Sequence, residues 1–117
     1  MKRALCAALA AAATGCASIQ ISPERLEQSQ STIRSAEELG AADVPQAKLH
    51  LQYAKDLERS ARRLAANGDP RAHTVLGCAQ ADAELAVALA REAQVRQQSQ
   101  NAAYRLDSLQ RFEGGTP

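Results

Sequence analysis

With 117 residues, 14 Lys and Arg against 13 Asp and Glu, and a formal net charge of +1, the chain has room for one small domain and lacks the basic excess of a nucleic-acid binder. Trp is absent and only Tyr53, Tyr104 and Phe112 are aromatic, so the core must be built from Leu, Ile, Val and Ala. No Gly-rich phosphate loop, CxxC pair or nucleophile elbow is present, which argues against an enzyme.

Residues 1–15 read as a bacterial lipoprotein signal peptide. Lys2 and Arg3 form the charged start, Ala4 to Ala13 the apolar run, and Ala13-Thr14-Gly15-Cys16 the junction of small residues before a cysteine. The Cys16 thiol is the expected lipidation site, carrying a covalent lipid as the only non-protein group, with no other cofactor and no metal expected. Two or three acyl chains anchor durably where one binds only marginally. Residues 16–21 form the lipidated N-terminus and a short linker. Ala17 after the cysteine, in place of a retention Asp, points to the periplasmic face of the outer membrane. Cleavage at Gly15-Cys16-Ala17 by the ordinary signal peptidase, giving a soluble periplasmic protein, is the alternative. The apolar run is too short to span a bilayer, covering about 15 Å of a roughly 30 Å core. Its removal takes Lys2 and Arg3 with it, leaving 12 basic residues against 13 acidic.

The first helix is predicted over 22–40. Ser22 is its N-cap, Pro23 its first residue, and Ile21 is placed to staple onto Leu26. Its thin stripe is Ser22, Leu26, Ser29, Ile33, Ala36 and Gly40. The second, over 44–66, carries Ala47, His50, Ala54, Leu57, Ala61 and Leu64, widened by Leu51 and Ala65, and stops at Asn67-Gly68. Asp69 and Pro70 then cap and open a third, so the short turn forces an antiparallel hairpin.

The third helix, over 70–112, has the most regular pattern. Ala72, Leu76, Ala79, Ala83, Ala86, Ala90 and Ala93 alternate by four and three, which suits close approach of helix axes. At 1.5 Å per residue it would run about 64 Å against about 33 Å for its partner, and must overhang. A break near Gln98, folding the end back as a fourth helix, is the alternative. The fold expected is all-α: a hairpin extended to a three-helix bundle with a long overhanging third helix, followed by a disordered tail at 113–117.

The hairpin from Gln46 to Arg96, the Leu64-Ala-Ala-Asn-Gly-Asp69 turn, the stretch Ala81-Asp-Ala-Glu-Leu-Ala-Val-Ala-Leu-Ala-Arg91 and the earlier Ile33-Arg-Ser-Ala-Glu-Glu-Leu-Gly-Ala-Ala42 resemble bacterial proteins carrying domain of unknown function 4398. That resemblance implies a short Ala-rich helical envelope lipoprotein and brings no catalytic residues. Some members continue into a peptidoglycan-binding domain, which is not expected after Phe112.

Candidate chemistry is sparse. His50 and His73 each lack a second ligand at i+3 or i+4, and His50 is expected to cap the thin end of the core. Cys78, in an Ala-rich helical pattern, is expected to be a buried small hydrophobe, with intermolecular pairing as the alternative. Glu58 with Arg62 and Glu92 with Arg96 are favourable i,i+4 pairs, whereas Lys55, Arg59 and Arg62 form a like-charge row. The short leash after Cys16 would turn the 67–70 loop towards the membrane. Arg59, Arg62, Arg63 and Arg71 then form a candidate headgroup-facing cluster. The overhang presents Val95, Ala102, Leu106 and Leu109 as a candidate partner-binding face, for another protein or for self-association. The expected role is a tether, scaffold or accessory module, with no small-molecule substrate and no nucleic acid; the alternatives are a soluble exported periplasmic binding or adaptor protein and, last, a small enzyme or metal-binding protein.

Overall fold

The computed structural model describes residues 20–114. Helix α1 spans Pro23–Glu38, a 3₁₀ turn covers Ala41–Asp43, α2 spans Pro45–Ala66 and α3 spans Ala72–Glu113. Among the described residues there is no strand, and the fold is an all-α three-helix bundle with one long member.

Local chemistry sets the ends. The Ser22 side chain accepts from the Arg25 amide at 3.4 Å, and Pro23 opens α1 as the first helical residue. Ile21 and Leu26, the proposed staple, line one shallow groove with Arg62 and Ala65. The helix closes with Gly40 at φ 76°, a left-handed conformation that glycine adopts at no steric cost. Helix α2 ends in a Schellman motif. Gly68, at φ 68°, donates to the Ala65 carbonyl at 3.0 Å, and the Asp69 amide donates to the Leu64 carbonyl at 2.9 Å.

The start of α3 differs by two residues from the predicted one. Pro70 and Arg71 lie in the turn, where the Asp69 carboxylate accepts the Arg71 amide at 2.9 Å; the cap position of α3 is Arg71 rather than Asp69, with no side-chain cap bond. The same carboxylate grips the Arg71 guanidinium through three contacts of 2.7 to 3.1 Å. These bonds, the side-chain one foremost, hold the Asp69 carboxyl at about 2 against an ordinary 3.8. Because the folded value is depressed, the turn's contribution is present above the ordinary value and lost as pH falls towards about 2. An NMR titration should place Asp69 there, and Arg71→Gln should return it towards 3.8.

Helix directions follow from the cross-helix bonds. Gln30 meets Glu58 at 3.3 Å and Glu37 pairs with Lys55, so α1 and α2 run antiparallel. Gln80 donates to Thr32 Oγ1 at 3.1 Å and Gln94 to the Leu39 carbonyl at 3.0 Å, so α1 and α3 run parallel. The core between them is mostly alanine. Ala36, Ala47, Ala54, Ala83, Ala86 and Ala90 are fully buried, with Ile33 and Leu51 as its larger members. Small side chains bring the axes close, so stability rests on many short-range contacts.

The α3 stripe matches the predicted phase, with Ala72, Leu76, Ala79, Ala83, Ala86 and Ala90 buried. In α2 the phase differs by one residue. Glu58 is buried at 8 % exposure, in step with Leu51, Ala54 and Ala61, whereas the expected Leu57 is only half-buried. Its charge favours an outward position, yet three-four spacing puts it on the seam. Its carboxylate accepts from Arg62 Nε at 2.6 Å and from Gln30. Since Arg62 reaches solvent, Glu58→Leu should leave no stranded charge and raise stability by about 1 kcal/mol in urea unfolding.

Helix α3 is unbroken through Gln98, so no fourth helix folds back. Gln94, which donates to the Leu39 carbonyl, and Gln97 are the last side chains that reach towards α1 and its following turn, and every residue from 94 to 114 is exposed. The overhang beyond Gln97 is about 24 Å of single helix. Glu113 is its last helical residue, one residue further than expected, so the tail starts after it, and residues from 115 on lie outside the described ones.

Candidate functional site

Cys16 lies outside the described residues, so the anchor is read from the sequence alone. Arg59 of the proposed cluster sits about two helical turns further in, beside Gln30 and Ile33, whereas Arg62, Arg63 and Arg71 lie at the end of the bundle near the 67–70 turn. Gln20 and Ile21 share a groove with Arg62 there, which brings the start of the described chain to the same end. Their charge is largely met within the chain. Arg59 pairs with Asp56, Arg62 with Glu58 at 2.6 Å and Arg71 with Asp69 at 2.7 Å. Arg63 takes part in none of the ion pairs found among the described residues. The like-charge row expected of Lys55, Arg59 and Arg62 is resolved in the same way, because each side chain turns to a different carboxylate. The i,i+4 pair of Glu92 with Arg96 forms as expected, at 2.5 Å.

His50 is half-buried and bridges helices. Its Nδ1 lies 2.8 Å from Asp82 Oδ1 on α3, and its ring meets Tyr53 edge-on at 6.1 Å. It therefore has a carboxylate neighbour that lies 32 positions away in sequence, invisible to an i+3 or i+4 search. No group of three His, Cys, Asp or Glu converges on one point among the described residues. The pair is built as a strut between α2 and α3.

Cys78 is exposed, contrary to the expectation that it is buried. Its phase explains this: two positions after the buried Leu76, it is turned by about 200° on the helix and leaves the seam.

The third-helix candidates are exposed, as a partner-binding face requires. Val95 is 60 % exposed, Leu106 62 % and Leu109 61 %, with Ala102 also open. They are not a continuation of the buried stripe. Projected at 100° per residue, they lie more than a quarter turn away from it. Sequence reasoning missed that their spacing extends backwards. Leu85, 42 % exposed, is in phase with Leu106, and exposed Ala81 and Ala88 are in phase with Val95, Ala102 and Leu109. Helix α3 thus has two apolar faces, and its apolar residues do not concentrate on one side.

None of the helices among the described residues is long and apolar enough to cross a membrane. No family model, curated protein or solved structure matches the chain, so the resemblance noted above gains no support from these comparisons.

Proposed function

We propose that the chain is a non-catalytic, membrane-anchored lipoprotein of the bacterial envelope, acting as a tether, scaffold or accessory module through α3. The observation that carries this reading is the exposed aliphatic face of the overhang, where Val95, Leu106 and Leu109 have no intrachain cover. An amphipathic helix that leaves its apolar face in water gains by laying it on a partner. The signal-like start and Cys16 supply the address, and the few residues before Ser22 keep the bundle within about 20 Å of the lipid. The overhang then projects from the end of the bundle opposite the anchor.

In-cell photo-crosslinking from Leu106 or Leu109 tests the surface. Capture of one stoichiometric envelope partner, or of the chain itself, is expected, and yields no higher than from the exposed polar position Gln100 would overturn it. Mass spectrometry of the mature N-terminus tests the anchor. A lipid-modified Cys16 is expected, whereas a chain starting at Ala17 or Ser18 would contradict it.

A further inference from the structure

The outer face of α3 is longer than the overhang. It enters at Cys78 and steps through Ala81, Leu85 and Ala88, alternating by three and four. Past Glu92 it continues through Val95, Ser99, Ala102, Leu106 and Leu109 without a break in register. All of these positions are exposed. Strict alternation of this kind over more than four heptads is the pattern of a coiled-coil seam. It lies roughly 150° around the helix from the buried alanine seam, so α1 and α2 leave it open along its length.

We propose that this seam is covered by α3 of a second copy of the chain, running antiparallel. This deepens the interaction reading above, on which it rests, by naming the partner. The argument is the order of large and small residues. Aligned antiparallel over the whole of α3, Leu109 meets Cys78 of the second copy, Leu106 meets Ala81, Leu85 meets Ala102 and Ala88 meets Ser99. Each leucine layer then joins a leucine to a small side chain, so no leucine stacks on leucine and no leucine layer forces the axes apart. A parallel pairing instead sets Leu on Leu and Ala on Ala, which alternates crowding with gaps.

Charge selects the same direction. In a parallel pair Glu92 faces its own copy on the seam, and Arg91 flanks Arg96 of the second copy. In the antiparallel pair Glu92 lies beside Val95, still held by Arg96 of its own helix. Glu84 and Arg105, both exposed and each one position before a seam leucine, meet across the edge twice by symmetry. The strip from Cys78 to Leu109 is about 47 Å long and roughly 12 Å wide, which covers on the order of 1,100 Å² on the two copies together, near the lower bound for a specific interface.

Disulfide trapping tests it, in the full chain carrying Cys6→Ser and Cys16→Ser so that Cys78 is the only native thiol. The antiparallel pair holds the two Cys78 residues about 46 Å apart, so mild oxidation should give no covalent dimer. Adding Leu109→Cys should convert most of the chain to a covalent dimer, and Leu109→Cys with Cys78→Ser should abolish it. Ala81→Cys with Leu106→Cys, in the Cys78→Ser background, provides a second pair nearer the middle of the helix and should also trap the dimer. Rapid dimer formation through Cys78 alone would overturn the antiparallel alignment. Silence of both engineered pairs would overturn self-pairing. If the in-cell probe at Leu106 then still captures a different protein, the interaction reading stands and only the second copy is lost as its partner.

Discussion

Ala83→Leu should remove the cooperative thermal transition of the bundle, or lower its midpoint by about 15 °C, in circular dichroism. Ala83 is fully buried, on the face of α3 that packs against Ala54 and Leu51 of α2 in the common core. A leucine there needs volume that only separation of the helix axes can supply, because neighbouring alanines have no rotamers with which to yield. Overpacking of ordinary cores costs about 1 to 3 kcal/mol. An alanine seam lies at the upper end of that range or above, since a displaced helix loses its contacts at every layer. Against a typical total near 5 kcal/mol for so small a domain, that is most of the stability. Ala103→Leu, at an exposed position off both seams, should change the midpoint by less than about 0.5 kcal/mol equivalent.

Leu76→Ala removes volume where Ala83→Leu adds it, and should cost about 3 kcal/mol in urea unfolding with an unchanged denaturant slope. Leu76 is the largest fully buried hydrophobic side chain, at 1 % exposure, close to the turn that joins α2 and α3. The buried positions that follow it on α3 are alanines, which cannot extend into the space left behind. The cavity therefore stays open, and its cost adds to the lost transfer energy. Leu106→Ala, on the outer seam, removes the same atoms from water-exposed surface and should leave the bundle's own stability nearly unchanged.

The alanine seam of α3 was legible because its residues are both apolar and in phase, and the helix ends were legible from Ser22, Gly40 and Gly68. Glu58 was missed since its polarity argued outward while its spacing argued inward, and spacing prevailed once Arg62 and Gln30 could satisfy the carboxylate. Cys78 was misread for the reverse reason, composition of the neighbourhood having outweighed its angular position. The outer seam is masked in the sequence by Ala81 and Ala88, which run together with the buried alanines although they belong to another phase. The His50–Asp82 strut and the Glu37–Lys55 pair depend on how two helices are set against each other, which no local pattern encodes.

A single helix of some sixteen residues without tertiary cover is marginal in water, even when it extends from a nucleated one. The continuity of α3 to Glu113 therefore bears directly on whether its outer face is covered. Amide hydrogen exchange over 98–113, followed as the chain is diluted, is the most direct measurement. Self-pairing should protect these amides at high concentration, with the protection lost on dilution and in Leu106→Asp, while amides of the 72–93 segment stay protected throughout. Rapid exchange over 98–113 at every concentration, identical in the wild type and in Leu106→Asp, would contradict it.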